Sequence, residues 1–414
     1  MTHGRITTVA VLAAFAGGIW FSQAANGPGP KTIDAGQYES LQKAFDAVPP
    51  GGGVVRIPPG VYEISKPLRV RRGDIRIEGS GAATHIVNKN RSGQAALLLR
   101  PAGYEEAPSA AERRKLRIWR VQLADFRVSG NPKSGDGVRA DGVDEILVDN
   151  LSIDHNGGHG VNLQDCYEDP RLVDSIFTYN GAAGVNIQAG HDIVVNGNQF
   201  EENQDALRCI DSFNLCMNGN NIDDHLRHGV VIENTYGSVL SGNMIEECAG
   251  TGIILDREAY GITLSANVLA HNNGGGIDLR NAWGSTVSAN TFTINPAWSL
   301  RISAKSGRIA VTGNNFSNSF LGAGKTRRLE DYSVEWPNKG YAAGLLIDGA
   351  TDIAVSGNVF AGLIEEAVRA TPGSQRIVLI GNVATDLGRK TGHTEPAFAI
   401  GHARKITRAL NIGP

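Results

Sequence analysis

Short apolar phrases recur down most of this chain at a nearly constant interval. One phrase reads apolar-x-small-Asn: LVDN (Asn150), VNGN (Asn198), MNGN (Asn220), LSGN (Asn243), LSAN (Asn267), VSAN (Asn290), VTGN (Asn314), VSGN (Asn358) and LIGN (Asn382). Asp125 in QLAD and Ser175 in LVDS fill the same slot, and from Asp125 the gaps are 25, 25, 23, 22, 23, 24, 23, 24, 44 and 24 residues. The companion phrase reads Gly-apolar-x-apolar or a near variant, as in GVNL (160–163), GVVI (229–232), GIIL (252–255) and GIDL (276–279). Apolar residues alternating with variable ones signal strands, and a fixed period of this size signals a solenoid. Two or three short strands per period, with Gly and Asn at the turns, predict a parallel β-helix. Residues one period apart then lie roughly 4.8 Å apart, so sequence columns become surface columns. In each slot the asparagine amide is expected to donate to a carbonyl of the next coil and accept from the previous one, closing the turn as a ladder.

The flanks read differently. Residues 39–48 (ESLQKAFDAV) put Leu41, Ala44, Phe45 and Val48 on one helical face, which suits a short helix over the open first coil. Residues 101–114 are polar and Ala/Glu-rich, an excursion from the coil. The 44-residue gap holds an insertion, 318–340, whose Tyr332 and Trp336 suit sugar stacking, and residues 389–414 form a C-terminal tail or cap. One solenoid domain, 32–388, is therefore expected rather than several.

Composition narrows the function classes. With 52 glycines and 6% aromatic residues the chain is unlike a helical bundle, and a net charge of −3 without long basic runs argues against nucleic acid as a partner. Residues 1–24 resemble an export signal: His3 and Arg5, an apolar run from Ile6 to Phe21, then Ser22-Gln23-Ala24. Residues 25–31 are a Gly/Pro linker, and secretion or a periplasmic location follows as the expectation. Four cysteines are too few for a disulfide framework; Cys209 falls in an inward column, and a Cys209–Cys216 bridge is compatible with an oxidising compartment.

The asparagine-marked coils, together with the opening SLQKAFDAVPPGGGVVRIPPGVYEI, resemble the right-handed parallel β-helix (pectin lyase-like) superfamily, and within it the pectate lyase/rhamnogalacturonase/epimerase-type proteins. The resemblance spans about residues 31–386. It implies a right-handed coil and a polysaccharide or oligosaccharide partner, but the superfamily holds lyases, hydrolases, epimerases, transferases and non-catalytic adhesins. GGHG (157–160) and Asp223-Asp224 are similar to polygalacturonase motifs but occur in the reverse order, and Asp223-Asp224-His225 matches the Asp-x-His of mannuronan epimerases only in part.

Chemistry is expected where the outward columns of the Gly-apolar strand turn acidic. The first column runs Arg139, Asn162, Asn186, Arg208, Val231, Ile254, Asp278, Arg301; the second runs Asp141, Gln164, Gln188, Ile210, Glu233, Asp256, Arg280. Glu233, Asp256 and Asp278 fall on consecutive coils, and two carboxylates one strand apart suit acid/base work on a glycosidic bond. His228 would carry protons. Arg208, Arg280, Arg257, Asp205, His225 and Trp336 would hold the substrate, the arginines suiting a uronate carboxylate. A lyase or C5-epimerase using His225 or His228 as base is the second enzyme class, and a carbohydrate-binding or structural solenoid the third. No cofactor is required by the sequence, and calcium is admissible.

Overall fold

The computed structural model describes residues 29–317, 342–389 and 396–413, so the expected signal (1–24) and the insertion with Tyr332 and Trp336 lie outside the described residues. The chain winds into a right-handed parallel β-helix of about 14 coils. A typical coil contributes Val239–Ser241 to a first sheet, Met244–Glu246 to a second and Thr251–Asp256 to a third. Among the described residues these sheets hold 17, 13 and 13 strands. Alternate residues point inward, and like residues stack on like. Phe177 and Phe200 stack at 5.1 Å, and Phe292, Phe316 and Phe360 follow one another at 4.6 Å. Each ring is fully buried, which contributes about 1.5–3 kcal/mol apiece by area, with stacking adding roughly 0.5–1.5.

The asparagine ladder exists but begins later than its phrase. Pairing aligns Leu147–Asp149 with Arg171–Val173, and the latter with Val194–Asn196. The slot held by Asn198 and Ser175 is therefore held upstream by Leu151 and Phe126, while Asn150 and Asp125 sit one residue earlier at φ 51° and 60°. At that earlier position later coils carry glycine, as at Gly197 and Gly242. The phrase LVDN mimics VSGN because both asparagine and glycine tolerate the left-handed turn. From Ser175 onward each slot bonds to the next: Asn243 Oδ1 accepts from the Asn220 N–H (3.0 Å), and its Nδ2 donates to the Asn267 Oδ1 (2.9 Å). The carbonyl it reaches, Met217 (3.1 Å), belongs to the preceding coil rather than the next. The ladder runs past Asn382 to Asn411, and Arg404–Ala409 pairs with Gln375–Ile380. The expected tail thus adds another coil.

A second ladder, not read from the sequence, lines the turn between the second and third sheets. Asn156, Asn180 and Asn203 bond in series, as do Asn272 and Asn295. Between them the slots are filled by His225 and Cys248, which break the sequence signal.

The N-terminal helix α1, Leu41–Asp46, is capped by the Ser40 hydroxyl accepting from Lys43 N–H and buries Leu41, Ala44 and Phe45; Val48 follows, also buried. The excursion includes helix α2, Ala110–Leu116, none of whose residues is buried. All four cysteines are free thiols, and burial pushes the Cys209 thiol up to about 11.

Candidate functional site

The outward columns of the third sheet fall in the register their spacing predicts. Arg208, Val231, Ile254, Asp278 and Arg301 follow one another across adjacent strands, and Ile210, Glu233 and Asp256 form the parallel column. Glu233 and Asp256 are therefore direct neighbours. Asp278 lies opposite Ile254, diagonal to Asp256 and two strands from Glu233.

Their surroundings differ. Glu233 Oε2 accepts from Arg208 Nη2 (3.3 Å), and Arg257 Nη1 stands 3.7 Å away, so its charge is compensated from both sides. Asp256 accepts from the Arg257 N–H at 2.7 Å. Asp278 is 2% exposed; Arg280 Nε donates to its Oδ2 at 2.8 Å, while its Oδ1 is buried without a partner. Opposite Asp278, Arg301 donates to Asp348 (2.7 Å) and lies over the Trp298 ring at 5.2 Å. Arg301 Nε and Trp298 Nε1 are likewise buried without partners. Trp298 packs against Gly275, where a Cβ would come within 2.4 Å of its Nε1. Asp278 and its neighbour Arg301, with Trp298 beneath the guanidinium, thus each carry one buried polar atom without a partner, which buried polar groups mostly avoid.

Two expected substrate contacts are internal. Asp205 is fully buried: Arg227 and Arg208 pair with it, and the His228 N–H donates to its Oδ1 (3.1 Å). Burial alone would raise its pKa, but the two arginines outweigh this and hold it below the usual carboxylate value. The carboxylate of Asp205 is thus engaged within the chain, on Arg208, Arg227 and the His228 backbone. His225 occupies the second ladder, 1% exposed, with Nδ1 accepting from the Asn203 N–H (3.2 Å); burial pulls its pKa down to about 4. The sequence missed this because Asp223-Asp224-His225 looks like a polar turn, and only the ladder register turns the third residue inward.

His228 remains at the edge of the face, half-buried. Its Nδ1 accepts from the Thr251 N–H at 3.0 Å, so the neutral ring carries its proton on Nε2. Burial, reinforced by Arg227, Arg280 and Arg208 against the opposing Asp205, lowers its pKa and keeps this neutral form. His159 repeats the arrangement upstream, accepting from the Ala183 N–H. Both rings are thereby set as hydrogen-bond donors toward solvent rather than as bases.

Two further features, one on this face and one along its border, were not singled out from the sequence. Upstream, α2 and the excursion wall a cavity of about 580 Å³ lined by Arg100, Tyr104, Arg139, Gln164 and Gln188. Along the turn leading back to the first sheet runs a row of rings on successive coils: Tyr167, His191, Phe213, Tyr236, Tyr260 and Trp283. Phe213 and Tyr260 are exposed. Spaced one per coil, these residues resemble scattered aromatics until the register aligns them.

Comparisons with known proteins agree on the fold. A model of the right handed beta helix region matches residues 117–268, and the model of the periplasmic copper-binding protein NosD matches 217–363. None of the curated proteins matches the chain in sequence. Among solved structures, the DFA-IIIase of Arthrobacter chlorophenolicus A6 in complex with GF2 is 17% identical over 84% of this chain and 94% of that one, with a TM-score of 0.57. The catalytic unit of the thermostable GH87 alpha-1,3-glucanase of Streptomyces thermodiastaticus strain HF3-3 is 17% identical over 94% and 70%, with a TM-score of 0.58. The chain therefore has the right-handed parallel β-helix fold that its repeat and opening segment predict.

Proposed function

We propose that this protein is an exported carbohydrate-active enzyme that binds a polysaccharide or oligosaccharide along the outward face of its third sheet and cleaves a glycosidic bond. The observation that carries this is the pair of partly exposed carboxylates on adjacent strands, Glu233 and Asp256, with Arg208 and Arg257 at Glu233 and the buried Asp278 diagonal to Asp256. A polyhydroxylated ligand offers donors to these carboxylates and acceptors to the arginines beside them. The aromatic row supports the same substrate class, since sugar rings pack against exposed aromatic surface. So does the structural likeness to the DFA-IIIase and the alpha-1,3-glucanase, both carbohydrate-active enzymes. Residues 1–24 and the match to a family described as periplasmic support export.

In this mechanism Asp278, fixed through Oδ2 by Arg280, and Asp256, diagonal to it, divide two roles: one carboxyl group gives a proton to the glycosidic oxygen, and the other takes a proton from the water that attacks the anomeric carbon. Diagonal neighbours stand roughly 7–8 Å apart, within the range that leaves room for such a water. Glu233, held by Arg208 and Arg257, stabilises positive charge developing on the ring, and His228 Nε2–H, Arg257 and Arg280 bind hydroxyl or carboxylate groups. A histidine base for a lyase or epimerase is less well supported, because His225 is internal and His228 is set as a donor. Nor do His225 and Cys248 support the copper binding named for the NosD family, since both are sealed ladder residues.

A panel of glycans read by product mass and ultraviolet absorbance tests the proposal. Hydrolysis products are expected, with Asp278→Asn and Asp256→Asn each reducing the rate at least 100-fold at unchanged circular dichroism. Ultraviolet-absorbing products would instead establish a lyase, and unchanged chain length with altered sugar stereochemistry an epimerase. Wild-type rates in Asp278→Asn would refute the assignment of the site.

A further inference from the structure

A separate cluster lies at the turn where the third sheet returns to the first, outside the catalytic face. The turn through Tyr167–Arg171 is one residue longer than those of the adjacent coils, and it carries Glu168 toward the next coil. Its backbone is pinned there: Glu168 N–H donates to Asp144 Oδ1 (3.1 Å), and its carbonyl accepts from the Glu145 N–H. On the next coil stand His191 and Asp192. His191 Nδ1 lies 3.3 Å from Asp192 Oδ2 and 3.7 Å from Glu168 Oε2, and the three ligand atoms fall within 4.8 Å of one another.

Three observations set this cluster apart from a surface ion pair. His191 Nδ1 is buried yet has no hydrogen-bond partner, although two carboxylates face it. The ring is clamped, stacked on Tyr167 at 5.0 Å and 12° and met edge-on by Phe213 at 6.1 Å. Asp192, at φ 52°, has its other oxygen held by Asn214 Nδ2 at 2.9 Å, which directs Oδ2 toward the imidazole. Such outer contacts orient the ligands of a metal.

The spacing fits an ion better than a proton. Nitrogen and oxygen ligands bind zinc at about 2.0–2.1 Å, which places two tetrahedral ligands roughly 3.4 Å apart. The observed 3.3 and 3.7 Å bracket that value and exceed good hydrogen-bond length. One imidazole with two carboxylates suits a borderline divalent cation, whereas calcium takes six to eight oxygens. Both carboxylates are partly exposed, 38% and 46%, giving the ion a route in.

We propose that Glu168, His191 and Asp192 form a three-ligand site for a zinc-like divalent cation with its remaining coordination positions open. Asp192 also lines a groove of about 480 Å³ on the outer face of the first sheet, together with Arg120, Glu145, Asp169 and Arg171. A carboxylate- or hydroxyl-bearing ligand in that groove would come within reach of the ion. The site is independent of the Asp278 cluster, which lies on later coils of the third sheet.

Calorimetric titration of the metal-stripped full chain with Zn²⁺ tests this. One site is expected at micromolar affinity, weakened at least tenfold by His191→Gln and by Glu168→Gln, with X-ray absorption showing one imidazole in an N/O shell. Asp224→Asn, in the all-carboxylate group Asp223, Asp224 and Glu247, is expected to leave the titration unchanged. Glu168→Gln alters a partly exposed side chain and serves if His191→Gln fails to fold. Absence of binding at 100-fold excess Zn²⁺, or undiminished binding by Glu168→Gln, would overturn the proposal.

Discussion

Replacing Asn243 by alanine tests both the ladder and its register. Four hydrogen bonds meet at this amide: Oδ1 accepts from Asn220 N–H (3.0 Å) and Asn220 Nδ2 (2.9 Å), and Nδ2 donates to Met217 O (3.1 Å) and Asn267 Oδ1 (2.9 Å). A neutral buried hydrogen bond contributes about 0.5–1.5 kcal/mol net, and leaving a backbone N–H unpaired costs about 1–3. Asn220 Nδ2 keeps its bond to Val195 O, so the losses do not simply add, and about 4 kcal/mol is expected in total. Asn150→Ala is the control. That residue is exposed at φ 51° and makes one side-chain bond, to Asp125 (2.8 Å), so about 1 kcal/mol is expected, mostly backbone strain. Asn243→Ser should fall between them, because Ser175 already fills this slot by accepting from Leu151 N–H (3.1 Å). Guanidinium unfolding gives the differences. Because solenoids can open coil by coil, hydrogen exchange across residues 217–267 shows where stability is lost. Asn243→Ala and Asn150→Ala agreeing within 1 kcal/mol would refute the ladder energetics and the one-residue offset together.

Two pH effects of opposite sign are expected. His225, buried neutral with its pKa lowered to about 4, must gain a proton on unfolding at mildly acid pH; stability is intact above pH 6.5 and falls by about 3 kcal/mol as the pH drops toward 4, a slope that His225→Asn should flatten in urea titrations. Glu247 is pushed up to about 7 by burial and by Asp224, Glu246 and Asp223, so its protonated form is favoured in the fold. That contribution is present below pH 4.5 and lost as the pH rises through 7, so Glu247→Gln should raise the melting temperature at pH 8 and leave it unchanged at pH 4.5. Arg208→Lys should lower glycan turnover more than it lowers stability, since lysine cannot span Asp205 and Glu233 at once; equal losses in the two assays would reduce Arg208 to a structural role.

The repeat alone determined the architecture of this protein. A period near 24 residues with alternating apolar positions permits no compact arrangement except stacked coils, and the helical face of 41–48 needed only local pattern. The same spacing placed Glu233 beside Asp256 and Asp278 opposite Ile254, because register along a parallel sheet is set by counting residues. Counting did not show which way a turn residue faces. Asn150 and Asn198 occur in matching phrases, yet one takes the left-handed exposed position and the other the buried slot. His225 reads as polar until its coil neighbours Asn203 and Cys248 place it inside. Nor could the sequence supply the company a side chain keeps. The partnerless oxygen of Asp278, the compensation of Glu233 by Arg208 and Arg257, and the convergence of Glu168 on His191 arise between coils, where distance is governed by packing across the helix rather than by separation along the chain.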